Sequence, residues 1–500
     1  MTEARKVYRR WFETGHLTGN LKKRSVKGGV NTVFAQFFSF GTQMISTAVM
    51  ARLVSPEGFG VVAMVTAITG FVVIFKDLGF SSAVIQNKFV TQKQISTLFW
   101  LNIMFSFVIS LIILALAPVM VSFYGEPRLF NITLAFAFSI SFGGLSLQHN
   151  ALMKRQMKFK QLSSVRMLNA ATSVLIGVAL AWMGFDYWAI VGATIAQTVL
   201  NVIQLWTVCN WRPNFVFDVA RVRHLVRFGA GVTGFDLVNY FSRNADNVLI
   251  GRFIGATGLG LYSKSYQLLM LPITQLRGPL TTVALPALST LQRDPKKYAE
   301  FYRRYVFILA FFSMPLVAYL AVFSEEVILL VLGEAWIDVA YIFQLLAYAS
   351  FIQPVAGSTG LVMITTGQTK RYFIWGVISA IVTVLGYLVG INWGITGIAV
   401  SYIVVNYTLL FPALHWSLKG SPVSIYMFLA EIQYPLLFSI ISAAACWSTK
   451  NFFGNWPDLL LVVVGCSIGS LVYLSLWFIS KHTQNKFKGV MEIKSLIFNK

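Results

Sequence analysis

A chain of 500 residues that is 56% hydrophobic and only 12% charged, with a mean hydropathy of +0.68, carries far more apolar surface than a soluble core of that size buries. Ordinary soluble domains hold about 25% charged residues, so a soluble globular class is excluded. The formal charge of +22 suggests nucleic acid only until its distribution is read, and that distribution follows a membrane.

The apolar residues fall in blocks of about 20, the length that crosses a roughly 30 Å hydrocarbon layer as a helix. Period-2 alternation, the mark of strands, is absent. In chain order the blocks predict an all-α polytopic membrane protein of about fourteen transmembrane helices. The expected spans are 30–51, 60–84, 95–121, 129–150, 166–184, 187–209, 226–251, 259–290, 304–323, 340–365, 373–390, 393–414, 424–447 and 458–480.

Residues 1–29 form a basic arm without the apolar run or small-residue cleavage site of a secretory signal. Span 1 is therefore expected to act as an uncleaved anchor. In the arm, Val7, Tyr8, Trp11 and Phe12 alternate with Arg5, Arg9 and Arg10, a pattern that suits a helix lying on anionic lipid. A disordered basic topology signal accounts for it equally.

With the arm in the cytoplasm, the inner loops and both termini collect most of the Lys and Arg, and the outer loops hold only Arg52, Arg128, Arg252 and Lys450. The outer loops also carry the acids Glu57, Glu126, Asp186, Glu325, Glu326, Glu334, Asp338 and Asp458. This asymmetry is the positive-inside rule and places both termini in the cytoplasm. It leaves no call for a nucleic-acid partner.

Cys209, Cys446 and Cys466 lie within or at the end of spans, without metal-ligand spacing, and read as small core hydrophobes. His16, His149, His224, His415 and His482 are scattered. There is no Ser/His/Asp set, CxxC, Walker loop or HExxH, so no enzyme, metal or cofactor chemistry is predicted.

The chain repeats internally. Ala51-Arg52-Leu53-Val54-Ser55-Pro56-Glu57-Gly58-Phe59-Gly60 is answered 200 residues later by Gly251-Arg252-Phe253-Ile254-Gly255-Ala256-Thr257-Gly258-Leu259-Gly260. Gly125-Glu126 is answered by Gly333-Glu334, and Trp188, Ile190 and Gly192 by Trp393, Ile395 and Gly397. Each unit holds an even number of spans, so the two share one orientation. The expectation is two parallel six-helix bundles, 30–211 and 212–419, related by a pseudo-two-fold axis along the membrane normal, a plan that transporters use. Two additional helices in 420–480 and a basic tail, 481–500, lie outside the repeat.

The repeat also aligns two polar stripes. Span 7 carries Asp236, Asn239, Arg243 and Asp246 at spacings of three, four and three, one face of a helix. Span 1 carries Gln36, Ser39, Gln43 and Ser46 at the positions 200 residues earlier. Such a stripe avoids lipid, because a central charge costs about 2.5–3.5 kcal/mol on insertion scales. Arg243 is expected to face a shared cavity or to pair with Asp246 or Asn239 along its own helix. Lys264 and Arg277 in span 8 pose the same alternatives. Pro272, Pro279 and Pro286 suit either a bending span or a packing kink. Lys76 beside Asp77 is placed to snorkel, and Glu431 is a lone acid in span 13.

Residues 51–86, ARLVSPEGFGVVAMVTAITGFVVIFKDLGFSSAVIQ, and 150–162, NALMKRQMKFKQL, resemble the polysaccharide transporter branch of the multidrug/oligosaccharidyl-lipid/polysaccharide flippase superfamily. Within it they are similar to the Wzx-type exporters that handle colanic acid. The resemblance covers roughly residues 25–420 and implies an inner-membrane flippase. Such a protein moves undecaprenyl-diphosphate-linked oligosaccharide from the cytoplasmic to the periplasmic leaflet by alternating access, for surface polysaccharide synthesis. Membrane lipids and the polysaccharide polymerase machinery are its implied partners.

The family carries no fixed catalytic motif, so site residues follow from the stripes. Arg243, Lys264 and Arg277 are the cations available to a diphosphate. Gln36, Gln43, Asn239 and Tyr240 suit sugar hydroxyls, and Asp236 or Asp246 suits coupling to a proton or sodium ion. Asp77 and Arg277, 200 residues apart and opposite in charge, are repeat equivalents that suit a gate. The alternatives are a cation-coupled drug or metabolite antiporter of the same superfamily, which favours acids in its cavity, and a membrane assembly protein without transport.

Overall fold

The computed structural model describes residues 11–12, 21–73, 80–86, 90–218, 240 and 244–491. Every secondary-structure element among them is helical. The chain divides into two compact units, Met1–Gly260 and Leu261–Lys500.

In the first unit, α1 (Leu21–Leu53) and α2 (Pro56–Val73) precede a short α3 (Phe80–Gln86). They are followed by α4 (Gln92–Tyr124), α5 (Leu129–Gly143), α6 (Leu147–Arg155), α7 (Phe159–Trp182) and α8 (Tyr187–Val208). The sequence marks several of these ends. Thr91 and Gln94 close a reciprocal capping box at the start of α4, and Gly125, at φ 70°, ends it in the left-handed conformation that a residue without a Cβ adopts freely. A 3-10 turn, Gly144–Ser146, joins α5 to α6.

The loops of this unit sort to two ends. At one end Ser55 donates its backbone N–H to Asp186 Oδ1 at 2.9 Å, and Arg128 pairs with both Glu57 and Glu126. At the other end Trp211 Nε1 donates to Gln92 Oε1 at 2.6 Å and Gln92 Nε2 to the Arg212 carbonyl at 2.9 Å. There too Arg155 Nη1 donates to the Val84 carbonyl at 2.7 Å. Trp11, Val84, Val90, Leu152 and Trp211 belong to one buried cluster at that end. The arm is thus tied down at Trp11, which is only 5% exposed, with Gln156 Nε2 on its carbonyl and Lys158 Nζ 3.8 Å from its ring centre. That corrects the picture of this residue lying on lipid: Trp11 packs into the protein, where its large apolar area is better spent.

Within the first unit two segments of the sequence repeat cross. A Cβ at Gly60 would overlap the Ala256 carbonyl, and one at Gly260 would overlap the Pro56 carbonyl. Positions 56 and 256, like 60 and 260, are repeat equivalents, so the contact is reciprocal. The recurring glycines exist because two backbones touch there.

The second unit takes most of α9 (Ala256–Thr290), a helix of 35 residues that contains Pro272, Pro279 and Pro286 without a break. After it come α10 (Pro295–Val322), α11 (Ser324–Val331), α12 (Ala340–Ser350), α13 (Gln353–Ala356) and α14 (Thr359–Thr365). The chain continues with α15 (Thr369–Gly390), α16 (Gly394–Leu418), α17 (Ile425–Phe452), α18 (Asp458–Leu476) and α19 (Lys481–Met491). Asp294 caps α10 by accepting from the Lys297 N–H, with Pro295 at the first turn. Two buried tyrosines of the unit, Tyr298 and Tyr302, share hydrogen bonds with Thr365 and Ser358.

Ten helical stretches among the described residues are long and apolar enough to span a membrane, and the exposed Leu111, Val119, Leu385 and Leu471 give them a lipid-facing surface. Thr369–Leu418, 50 residues with a 3-10 break at Ile391–Trp393, holds two expected spans. The first and eighth expected spans, α1 and α9, are absent from the ten because polar residues dilute their hydropathy. Most of the seventh lies outside the described residues, which resume in a helix at 244–253.

Candidate functional site

The first unit holds a half-open chamber of about 780 Å³, lined by polar and apolar groups in similar measure, within the range of about 300–1,000 Å³ typical of ligand pockets. Four helical segments, one of them α5 continued through the 3-10 turn into α6, each give it a stripe of residues that recur every three or four positions. From α1 come Ser39, Thr42, Gln43 and Ser46, and from α5, the 3-10 turn and α6 come Gly143, Ser146, Leu147, Asn150 and Lys154. From α7 come Leu162, Val165, Arg166, Asn169, Ala170, Ser173 and Val174, and from α8 Gln197, Thr198, Asn201 and Leu205. The spacing is the helical repeat, so each helix turns a single face inward.

Small residues let these helices close on each other. A Cβ at Gly177 of α7 would stand 3.0 Å from the Ala193 Cβ of α8, and Ser173 Oγ donates to the Ala193 carbonyl at 3.1 Å. Asn201 Nδ2 reaches Ser146 Oγ at 3.4 Å, and Ser146 in turn donates to the Gly143 carbonyl at 2.8 Å.

Other lining groups are left open. Ser39 Oγ, Asn150 Oδ1 and Asn169 Oδ1 are buried without a hydrogen-bond partner, and Asn169 is only 6% exposed. A buried polar atom left unpaired costs about 1–3 kcal/mol, a cost that a ligand offering hydroxyls would remove. Lys154 and Arg166 are exposed where they line the chamber. Among the described residues that line it, none is acidic and none is aromatic.

The stripe expected on span 1 therefore reaches a cavity: Ser39, Gln43 and Ser46 line it, while Gln36, a turn earlier, is half-buried outside the lining. Asp77, Asp236, Asn239 and Arg243 lie outside the described residues. Tyr240 donates its hydroxyl to the Thr66 and Ala67 carbonyls at 2.9 and 3.1 Å, tying that residue to α2. Asp246 is buried, with Oδ1 accepting from the Asn247 N–H at 2.8 Å. In the second unit Lys264 Nζ donates to Gln267 Oε1 at 3.0 Å, and Arg277 Nη2 donates to the Gly357 carbonyl at 3.0 Å.

Glu431, the lone acid of span 13, accepts from Arg303 Nη2 at 2.6 Å and from Lys486 Nζ at 2.8 Å, tying α10 and α19 to α17. Sequence reading passed over Asn150, Lys154, Arg166 and Asn169. Lys154 and Arg166 counted as loop charges, although Arg166, Asn169 and Ser173 have the same spacing that picked out span 1.

A family model of polysaccharide biosynthesis proteins matches residues 49–341. The chain is 28% identical to the teichuronic acid biosynthesis protein TuaB of Bacillus subtilis, over 84% of this chain and 88% of the relative. It is 22% identical to the lipopolysaccharide biosynthesis protein WzxC of Escherichia coli, over 77% of this chain and 79% of the relative. Among solved structures, the lipid II flippase MurJ in an inward closed conformation shares the fold, with a TM-score of 0.71 at 15% identity, covering 90% of this chain and 98% of that one. The chain is a multi-pass α-helical membrane protein that belongs to the polysaccharide biosynthesis protein family.

Proposed function

We propose that the protein is a flippase, resident in the bacterial inner (cytoplasmic) membrane, that moves polyprenyl-diphosphate-linked oligosaccharide from the cytoplasmic to the outer leaflet for surface polysaccharide synthesis. The observation that carries this reading is the chamber inside an apolar helical unit, whose polar lining among the described residues is hydroxyls, carboxamides and two cations, with no acid. Its chemistry suits an anionic, hydroxyl-rich cargo. It does not suit the cationic cargo of an antiporter. The similarity to polysaccharide biosynthesis proteins in two bacteria supports the same cargo class.

On this reading Arg243, Lys264 and Arg277 hold the diphosphate, Gln36, Gln43, Asn239 and Tyr240 meet sugar hydroxyls, and Asp236 or Asp246 couples transport to a proton or sodium ion. Asp77 and Arg277 form the gate.

The test is transport in liposomes that hold the pure protein and a polyprenyl-diphosphate-linked repeat unit, followed by the access of a membrane-impermeant glycan-modifying enzyme to each leaflet. Wild type is expected to equilibrate the glycan between leaflets, faster under an imposed ion gradient. Arg243→Ala is expected to lose this activity while still inserting, and Arg243→Lys to recover part of it, since lysine lacks the bidentate fork. A pure protein that moves no lipid-linked glycan sinks the reading.

A further inference from the structure

Trp11 is docked more closely than a topology signal requires. Its side chain is buried in one cluster with Val84, Leu152, Cys209 and Trp211, and the Lys158 ammonium stands 3.8 Å from the ring centre, a cation–π distance. The backbone is held as well: Gln156 Nε2 donates to the Trp11 carbonyl at 2.9 Å, and Arg155 Nη2 to the Phe12 carbonyl at 3.1 Å. Arg155 and Gln156 are themselves buried. Residues 155, 156 and 158 thus make a socket that takes one aromatic ring and two successive carbonyls. Between them Met157 holds φ 53°, in the left-handed region that a residue with a Cβ seldom enters. Such a conformation persists where its surroundings impose it, and here both neighbours of Met157 grip the arm.

The socket is also where the walls of the chamber end. α6 and α7 meet in the turn at 155–158, and α8 ends at Val208, next to Cys209 of the Trp11 cluster. Leu162 belongs to both places, lining the chamber and packing against that cluster. α1 follows the arm in sequence, with eight residues, 13–20, between Phe12 and Leu21. A chain of that length spans up to about 30 Å, so the arm can leave the socket while α1 stays in place.

We propose that the Trp11–Phe12 segment is a releasable latch. Docked, it ties the α6–α7 turn to the end of α8 and so holds three walls of the chamber together at one end. Released, it frees that turn and loosens that end of the chamber. The occupant of the socket is this chain's own arm, and the proposal goes beyond the transport reading without depending on what is carried.

The test reads native thiols by mass spectrometry after timed exposure of the full-length protein in detergent to a maleimide, each rate divided by that of the same thiol in the unfolded chain. Cys209 and Cys446 are both 0% exposed. The first lies in the socket cluster, within electrostatic reach of Lys158, and the second on α17 against the Gly465 carbonyl of α18. Cys446 therefore serves as the clock for wider unfolding. Wild type is expected to react at Cys209 about tenfold or more faster than at Cys446, because releasing a terminal segment costs less than opening a helix pair. Trp11→Ala is expected to speed Cys209 about tenfold further, through the lost ring contacts, with Cys446 unchanged, and Trp11→Phe to fall between the two. A peptide of residues 1–20, added in trans to the alanine variant, is expected to slow Cys209 again, and the same peptide carrying Trp11→Ala to leave it fast. A thiol placed on the chamber wall by Ser46→Cys is expected to react about threefold or more faster when Trp11→Ala is added.

Equal rates at Cys209 and Cys446 in wild type overturn the latch, since the arm would then leave only when the fold does. Acceleration of both thiols together in Trp11→Ala overturns it too, by making Trp11 a general stabiliser. An unchanged Cys209 in that variant, or an unchanged Ser46→Cys rate, does the same. None of these readouts uses a lipid-linked glycan, so their failure is distinct from a failure of transport in liposomes.

Discussion

Arg128 clasps two acids from different loops, Glu57 and Glu126, on the end of the first unit where Asp186 also meets Ser55. The hydrogen bond from the Arg128 side chain holds the Glu126 carboxyl below the usual glutamate range. A carboxyl whose folded pKa is depressed adds stability above its unfolded value of about 4.3, and that stability fades as pH falls through the lowered folded value. Thermal stability in detergent is therefore expected to hold from neutral pH down to about 5 and to drop at more acid pH. Glu126→Gln should flatten that drop, and identical acid profiles for the two proteins would rule the clasp out as a stabiliser. Glu431 is a stronger case, since its side chain is 7% exposed between Arg303 and Lys486. Removing one partner of a buried pair costs about 3–5 kcal/mol. With Arg303 45% exposed, Glu431→Gln is expected to cost about 2–3 kcal/mol, read as a lowered melting temperature. Adding Lys486→Met should recover part of the loss, and no recovery would mean that Lys486 is not the stranded charge. Nothing in the sequence pairs these groups, because Arg303 and Lys486 stand 128 and 55 residues from Glu431.

Helices show where periodicity suffices and where it fails. The long spans were legible because blocks of about 20 apolar residues have few other uses, and the stripe on span 1 because polar residues at helical spacing must share a face. That three further stripes, on α5–α6, α7 and α8, converge with it on one chamber was not legible. Convergence is a tertiary fact, and Lys154 and Arg166 already had a sufficient explanation as topology signals. The recurring glycines were legible as a repeat but not as a contact. Since a side chain at Gly60 would overlap a backbone carbonyl, which cannot rotate aside, Gly60→Val is expected to cost more than the 1–3 kcal/mol or so of ordinary overpacking. A drop in melting temperature and at least a tenfold loss of transport would register it. Gly376→Ala on α15, where a Cβ meets open space, should stay within about 0.5 kcal/mol of wild type. Equal tolerance at the two glycines would dissolve the close crossing.

Each unit sorts its loops in the way that alternate crossings require. In the first, residues 55–57, 126–128 and 186 meet at one end. The arm at Trp11, Val84 and the segments at 90–92, 151–156 and 209–212 meet at the other. α4, with 33 residues and about 1.5 Å of rise per residue, is long enough to run the whole way between them. In the second unit Lys450 meets Glu326 at 2.7 Å beyond the end of α10, while Arg371 bonds the Trp416 and Lys419 carbonyls and Arg303 bonds Glu431 near the opposite ends of their helices. The basic loops thus share one end within each unit and the acid-bearing loops the other. Insertion favours Lys and Arg on the cytoplasmic side, so the basic ends are expected in the cytoplasm. Reporter fusions after residues 160, 295 and 485 are accordingly expected to read cytoplasmic, and fusions near 126, 335 and 455 periplasmic. The tail is the most informative site, because every span adds one reversal before it. A periplasmic reading at 485 beside a cytoplasmic one at 160 would mean an odd number of crossings between them, which contradicts the expectation of two units with an even number of spans each. A uniform inversion of all six readings would instead keep the crossings and put Lys154 and Arg166 on the outer face, where a cytoplasmic donor of the glycan could not load the chamber.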